Sequence, residues 1–570
     1  MIHKARKKVY KFITLFILSL FALNYALVSD IFPAHKESYN KESISKYRLT
    51  IFHTYKNVIL EYIRTQDLPD WALLDPDKDG YEGTRTETLF QYIQTMDIEQ
   101  EPESVIVAVM DTGIDIDHPA LKNNIWHNLI EINGIPDVDD DGNGYVDDFY
   151  GWNFLGNVRN LSLEMTREMV RLKKENISPN DSYYKKVKEE YEKKINEEED
   201  YYDMIKSTVD EVKDAVDILR TKDYPTDPDG LRKIKSRLKG KYLDAANLIL
   251  GINIWFDLTP EELIEEENNT RLKNEALFNP IETHLLIGDN PDILLEKNYG
   301  NSNITTTHEL HGTHVSGIIA ANKRGVGQAP FAKIMCLRTV PDEGDERDKD
   351  IGNAIRYAVD NGASVINMSA GKYFSVNPDF VIDAIKYAEE NGVLFVVSAG
   401  NEGANIEQVI NYPPKFYTEN GEMKYFSNLI VVGANSWMKK WSSDMDPGDM
   451  NYGFDLAASF SNYSDKVVDL FAPGVEIYST IPGGKYLRTS GTSMSSPEAS
   501  GVAAIIKGFF PNLIAQQLKI ILVSSVRKYD GLKVRIKGRN SRVLFSSLSK
   551  SGGVIDALNA YQLAEEKYGR

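Results

Sequence analysis

Residues 105–113 read Val-Ile-Val-Ala-Val-Met-Asp-Thr-Gly. The apolar part, rich in β-branched residues, leaves no polar face, so a strand here is covered on both sides, as the strands of a parallel sheet are. Comparable runs recur at 333–337, 364–368, 393–397, 429–432 and 468–471. Helical patterns lie between them, as at 351–361 and 379–391. Strands alternating with helices predict an α/β fold: a doubly wound, mostly parallel sheet with helices on both faces. Cys336, the one cysteine, falls inside one of these runs and reads as a small core hydrophobe. No disulfide can form within the chain, so the fold rests on its core or on metal.

Outward from this framework the texture changes twice. Between residues 160 and 299 Lys and Glu dominate, and Tyr202, Ile205, Val209, Val212, Val216 and Leu219 follow a 3-4 spacing. Thr259-Pro260-Glu261-Glu262 carries a helix-start signature. These residues read as a helical insertion packed as a hairpin, either a solvated spacer or a shaper of substrate access. At the N-terminus, Lys4, Arg6, Lys7 and Lys8 precede an apolar run over 12–28, the pattern of an export signal or an uncleaved anchor. Leu49, Phe52, Tyr55, Ile59 and Ile63 suggest one amphipathic helix in an extension over 29–68. A single catalytic domain is expected over 69–570, interrupted by the insertion. The formal net charge of -19 disfavours nucleic acid as a partner and favours cations.

Three motifs carry chemistry. Asp111-Thr112-Gly113 closes the first buried strand, His311-Gly312-Thr313-His314 comes next, and Gly491-Thr492-Ser493-Met494-Ser495-Ser496-Pro497 comes last. Each alone is weak. Together they supply a hydroxyl nucleophile, an imidazole base and a carboxylate to hold the imidazole. A fourth stretch, Ser398-Ala399-Gly400-Asn401, follows a buried strand. Its side-chain amide and the backbone N–H of Ser493 could donate to an oxyanion that develops only in the transition state.

With these motifs in the order Asp, His, Ser, the chain resembles the subtilisin-like serine proteases, or subtilases. The resemblance also takes in residues 107–121, 311–321, 365–371, 395–403 and 471–504. It implies an endopeptidase, exported on the reading of the N-terminus, in which Ser493 attacks the peptide carbonyl, His311 moves the proton and Asp111 orients His311. It implies Asn401 as oxyanion donor and a packing role for His314. Ser369, Ala370 and Gly371 would pair with the substrate backbone as an added strand. Ser398, Ala399 and Gly400 would line the same cleft, and Asn411 would stand at the floor of the pocket before the cleaved bond, where many relatives have glycine. The implied partners are polypeptide substrates, met by a monomer that touches a membrane only through residues 12–28. Two departures stand out: Glu498 replaces a frequent histidine, and Ala120 replaces a calcium-binding aspartate of the compact relatives.

Residues 137–148, Asp-Val-Asp-Asp-Asp-Gly-Asn-Gly-Tyr-Val-Asp-Asp, have the spacing of an EF-hand calcium loop. Asp137, Asp139, Asp141, Asn143 and Asp148 are the candidate ligands, around a tight turn at Gly142. The alternative is an acidic surface turn. Asp75, Asp77 and Asp79 form a less regular run of the same kind.

Overall fold

Apolar runs bounded by turn residues become strands, and the amphipathic stretches between them become the covering helices. The computed structural model describes residues 68–96, 101–256, 258–279, 283–305, 310–407, 411–439, 455–539 and 541–569. The apolar run at 12–28 and the helix expected over 49–63 lie outside the described residues. Two units divide the chain, and residues 69–442 with 451–570 form the one treated below.

This unit begins with α1 (Thr86–Thr95) and β1 (Ile106–Asp111). A short helix, α2 (Leu129–Ile132), and β2 (Gly151–Asn153) follow. Six helices come next: α3 (Glu164–Lys174), α4 (Ser182–Arg220), α5 (Pro228–Ile234), α6 (Lys241–Phe256), α7 (Pro260–Phe278) and α8 (Thr283–Ile287). The α/β alternation resumes with α9 (His311–Ala320), β3 (Lys333–Arg338), α10 (Asp348–Asp360), β4 (Val365–Met368), α11 (Pro378–Glu390) and β5 (Leu394–Ser398). A hairpin of β6 (Phe416–Glu419) and β7 (Glu422–Tyr425) precedes β8 (Leu429–Asn435) and β9 (Leu470–Pro473). Another, β10 (Ile477–Ile481) and β11 (Lys485–Thr489), leads into α12 (Thr492–Phe509) and α13 (Ala515–Ser524). The chain closes through β12 (Arg527–Lys528), β13 (Lys533–Val534), β14 (Val543–Leu544), β15 (Gly553–Val554) and α14 (Ala557–Tyr568).

Nine strands form one sheet in the order β12-β15-β9-β8-β5-β4-β1-β3-β2. All its pairs are parallel except β12 with β15. It is a doubly wound α/β fold. The β1 side chains from Val107 to Met110 are fully buried, as an apolar run without alternation requires. Cys336, on β3, is buried too, and burial pushes its thiol well above the usual range, so it stays protonated.

The helical stretch differs from the expected hairpin. In α4, Ile205, Val209, Val212, Val216 and Leu219 are buried as their spacing predicts. They meet Ile249, Leu250 and Ile252 of α6 and Leu263 of α7 in a core separate from that of the sheet. The reason is α6: its apolar residues need a covered site, which turns a hairpin into a small bundle. At the start of α7 the capping box forms as the sequence predicts, with Thr259 and Glu262 bonding reciprocally and Pro260 in the first turn.

Candidate active site

Parallel strands deliver their carboxyl ends to one edge, and the register sets which residues meet there. Met110 of β1 pairs with Met368 of β4, and Met368 with Val397 of β5. Asp111, Ser369 and Ser398 therefore follow side by side, where open α/β sheets hold their ligands. Asp111 is buried, and its Oδ1 lies 2.8 Å from Nδ1 of His311 at the start of α9. The N–H of Thr112 also donates to that oxygen at 2.8 Å, which fixes the carboxylate in place. His311 keeps a third of its side chain exposed.

Ser493 lies in the first turn of α12, which packs against α9. Its hydroxyl donates to the Ser369 carbonyl at 3.0 Å. The Ser369 hydroxyl in turn donates to the Ser493 carbonyl at 3.0 Å. A serine at 369 thus ties the end of β4 to the start of α12 from both directions, a role its position after a buried strand does not announce. Asn401 accepts from both the N–H and the hydroxyl of Thr492, at 2.8 and 2.9 Å. With Oδ1 engaged twice, the amide is oriented and its Nδ2 hydrogens are left for an incoming oxygen. His314 is fully buried, with Nε2 3.1 Å from the carbonyls of Ile477 and Leu487. Burial pulls its imidazole down to about 4, so it packs as a neutral side chain.

The edge that follows Ser369 has a defined shape. Past Ala370 and Gly371, Lys372 and Tyr412 exchange backbone hydrogen bonds at 3.1 and 2.8 Å. Asn411 sits between the two walls: a Cβ on Gly371 would come within 2.9 Å of its Oδ1, and one on Gly400 within 3.3 Å of its Nδ2. Its Oδ1 is enclosed without a hydrogen-bond partner. Ala399, behind this wall, is fully buried and donates its N–H to Val432 rather than to the cleft.

A subtilase family model matches residues 103–541. The chain belongs to the subtilase family. This subtilase is 38% identical over 200 residues to the thermophilic serine proteinase of Bacillus sp. (strain AK1), a match covering 34% of the chain and 42% of that protein. It is 37% identical over 200 residues to thermitase of Thermoactinomyces vulgaris, covering 34% of the chain and 60% of thermitase. Subtilisin-like protease 1 of Plasmodium berghei (strain Anka) is 31% identical over 298 residues, covering 49% of the chain and 44% of that protein. The chain thus spans about half the length of these curated relatives.

The acidic loop of this subtilase differs from the expected ligand ring. Among the described residues, the carboxylates whose oxygens lie within 4.8 Å of one another are Glu131, Asp141 and Asp148. Asn143 joins them, its Nδ2 donating to Asp141 at 3.0 Å and to Asp148 at 2.9 Å. Asp137 and Asp139 stand outside that group. The Asp139 carboxylate accepts from the N–H groups of Asn143 and Gly144, so it is used in closing the turn at Gly142, whose φ of 71° a side chain would strain. Glu131 comes from α2, six residues before the loop, and nothing in the loop's spacing signals it. Burial raises the Asp148 carboxyl to about 6, against donors on Tyr357, Asn143 and Asn128. The second run does not gather ligands: Asp75 is bonded by Arg85 at 3.0 Å and Thr88 at 2.9 Å, which satisfies it without metal.

Proposed function

We propose that this subtilase is an exported serine endopeptidase that hydrolyses peptide bonds through an acyl-enzyme. The observation that carries the reading is the Asp111–His311 hydrogen bond of 2.8 Å, with Ser493 in the first turn of α12, a helix packed against the one that His311 starts. Ser493 Oγ attacks the peptide carbonyl while its proton passes to His311. Asp111 holds the ring in the tautomer with Nδ1 protonated and stabilises the imidazolium. The oxyanion is met by Asn401 Nδ2 and the N–H of Ser493, donors set before the charge appears. His311 then returns the proton to the leaving amine, and water, activated by the same imidazole, releases the acyl group. Ser369, Ala370 and Gly371 bind the substrate as an added strand, and Asn411 makes the pocket short and polar. Residues 4–28 support export, and the relatives' names support a polypeptide substrate.

Glu131, Asp141 and Asp148 suit a hard cation: the three bring carboxylate oxygens within 4.8 Å of one another. Calcium held there would join α2 to the loop as a structural ion.

The experiment is labelling with a fluorophosphonate, followed by casein hydrolysis. Wild type should be labelled at Ser493. Ser493→Ala should lose both labelling and about six orders of magnitude of turnover, and Asn401→Ala about a hundredfold or more. Near-normal hydrolysis by Ser493→Ala would end this reading.

A further inference from the structure

Immediately after the substrate edge, the chain does something the family motifs do not require. Lys372 follows Gly371, and its ammonium is fully buried. It lies 2.9 Å from Glu164 Oε1, 2.8 Å from Asp348 Oδ1 and 2.8 Å from the Glu346 carbonyl. Burial alone would strip the proton; Asp348 and Glu164 outweigh it and hold the ammonium charged. Glu164 belongs to α3, the first helix of the insertion, and Asp348 starts α10.

The two carboxylates hold more than the lysine. Glu164 Oε1 also accepts the N–H of Val376 at 3.1 Å. Asp348 Oδ2 accepts the hydroxyl of Ser375 at 2.9 Å and the N–H of Asn377 at 2.7 Å. Between these anchors the Phe374 ring is buried in an apolar cluster otherwise supplied by the insertion, with Met165 and Leu172 of α3, Val187 of α4 and Leu277 of α7 among its neighbours. The segment 372–377 is therefore gripped by both polar and apolar contacts from α3. A buried charge is costly to leave unpaired, so this lysine has little freedom to move, and neither has the backbone that carries it.

We propose that Lys372 is a positioning residue for the substrate edge, and that Glu164 makes the helical insertion the brace that holds it. The proposal rests on the reading of Ser369, Ala370 and Gly371 as the strand that pairs with substrate. The insertion then acts on peptide binding from behind the edge, through a side chain that touches no substrate. Residues that occupy the edge feel the brace; a substrate with nothing to lay along the edge does not.

The test compares Glu164→Ala with wild type on two substrates of the same acyl residue: a single amino-acid ester, and a tetrapeptide ester extending along the edge. Fluorophosphonate labelling counts active sites in both proteins. Glu164→Ala should label as wild type does and hydrolyse the short ester within about threefold, while kcat/KM for the tetrapeptide falls about tenfold or more, chiefly through KM. Glu164→Gln, which keeps an oxygen for Lys372, should recover most of that loss. If Glu164→Ala does not fold, Glu164→Gln with Lys372→Met neutralises the buried pair and should show the same dependence on substrate length. Equal losses on both esters, or none on either, would overturn the brace. A wild-type protein that neither labels nor cleaves the short ester would instead overturn the proposed function, and the substrate edge with it.

Discussion

Glu498 lies on α12 five residues beyond Ser493, where the helix is packed on all sides, and it is fully buried. Gln328 donates to one of its oxygens, and the other has no partner. Burial pushes its carboxyl from 4.5 up to about 8. The folded protein thus keeps this proton to higher pH than the unfolded chain does. The stability this one group contributes is fully present below about pH 4.5 and is lost as pH rises through about 8. Glu498→Gln removes the titration, whatever constant offset its amide introduces. In a Ser493→Ala background, to prevent self-digestion, the variant should gain stability over its parent between pH 5 and pH 8.5. The relative gain should be on the order of a few kcal/mol, read from urea unfolding. A difference between the two that does not change with pH would show that the carboxyl ionises freely in the fold.

At the level of elements, the insertion has two halves with different duties. The cluster that grips Phe374 uses α3, the start of α4 and the end of α7. The separate core of α4, α6 and α7 lies farther along, over residues 205–263. Between them the chain comes back to itself: Asn274 donates to the Glu198 carbonyl at 3.1 Å. Replacing residues 199–273 with a short Gly-Ser turn should leave small-peptide hydrolysis within about threefold of wild type, whereas excising 161–293 should not, because it removes Glu164. Near-wild-type activity from both deletions would mean that the insertion does not support the substrate edge. The sequence shows which of these elements exist. The six sheet strands expected from their apolar runs fall where predicted, because strands covered on both faces have no competing reading. The seam of α4 and the cap of α7 are equally clear, since both are local patterns. What is not legible is contact between distant segments. Nothing near Lys372 in the chain marks it as the partner of Glu164, and the run 137–148 does not announce that Glu131 takes the place expected of Asp137 or Asp139. The order of motifs names Asp111, His311 and Ser493, while the exchange of hydrogen bonds between Ser369 and Ser493 depends on a register that only the folded sheet displays.

For the molecule as a whole, the acidic loop and the strand order act on stability and on assembly. If Glu131, Asp141 and Asp148 hold calcium, the ion stabilises the native state by mass action, about 2.7 kcal/mol when its concentration is a hundred times Kd. Removing calcium with EGTA should lower Tm, and Asp141→Asn with Asp148→Asn should abolish the difference; a Tm indifferent to both chelator and added calcium would refute the site. Strand order sets a further condition. β1, which carries Asp111, is flanked by β3 and β4, and its first partner by position in the chain, Lys333, comes more than two hundred residues after Ile106. Much of the long loop between them is helical, and the core over residues 205–263 comes from one continuous stretch. During synthesis the bundle can be complete while β1 still waits for its neighbours, exposed and apolar, and Ser493 has yet to leave the ribosome. The nascent chain is thus sticky for a long interval, and under the proposed chemistry it cannot cut before Ser493, at the start of α12, has been made.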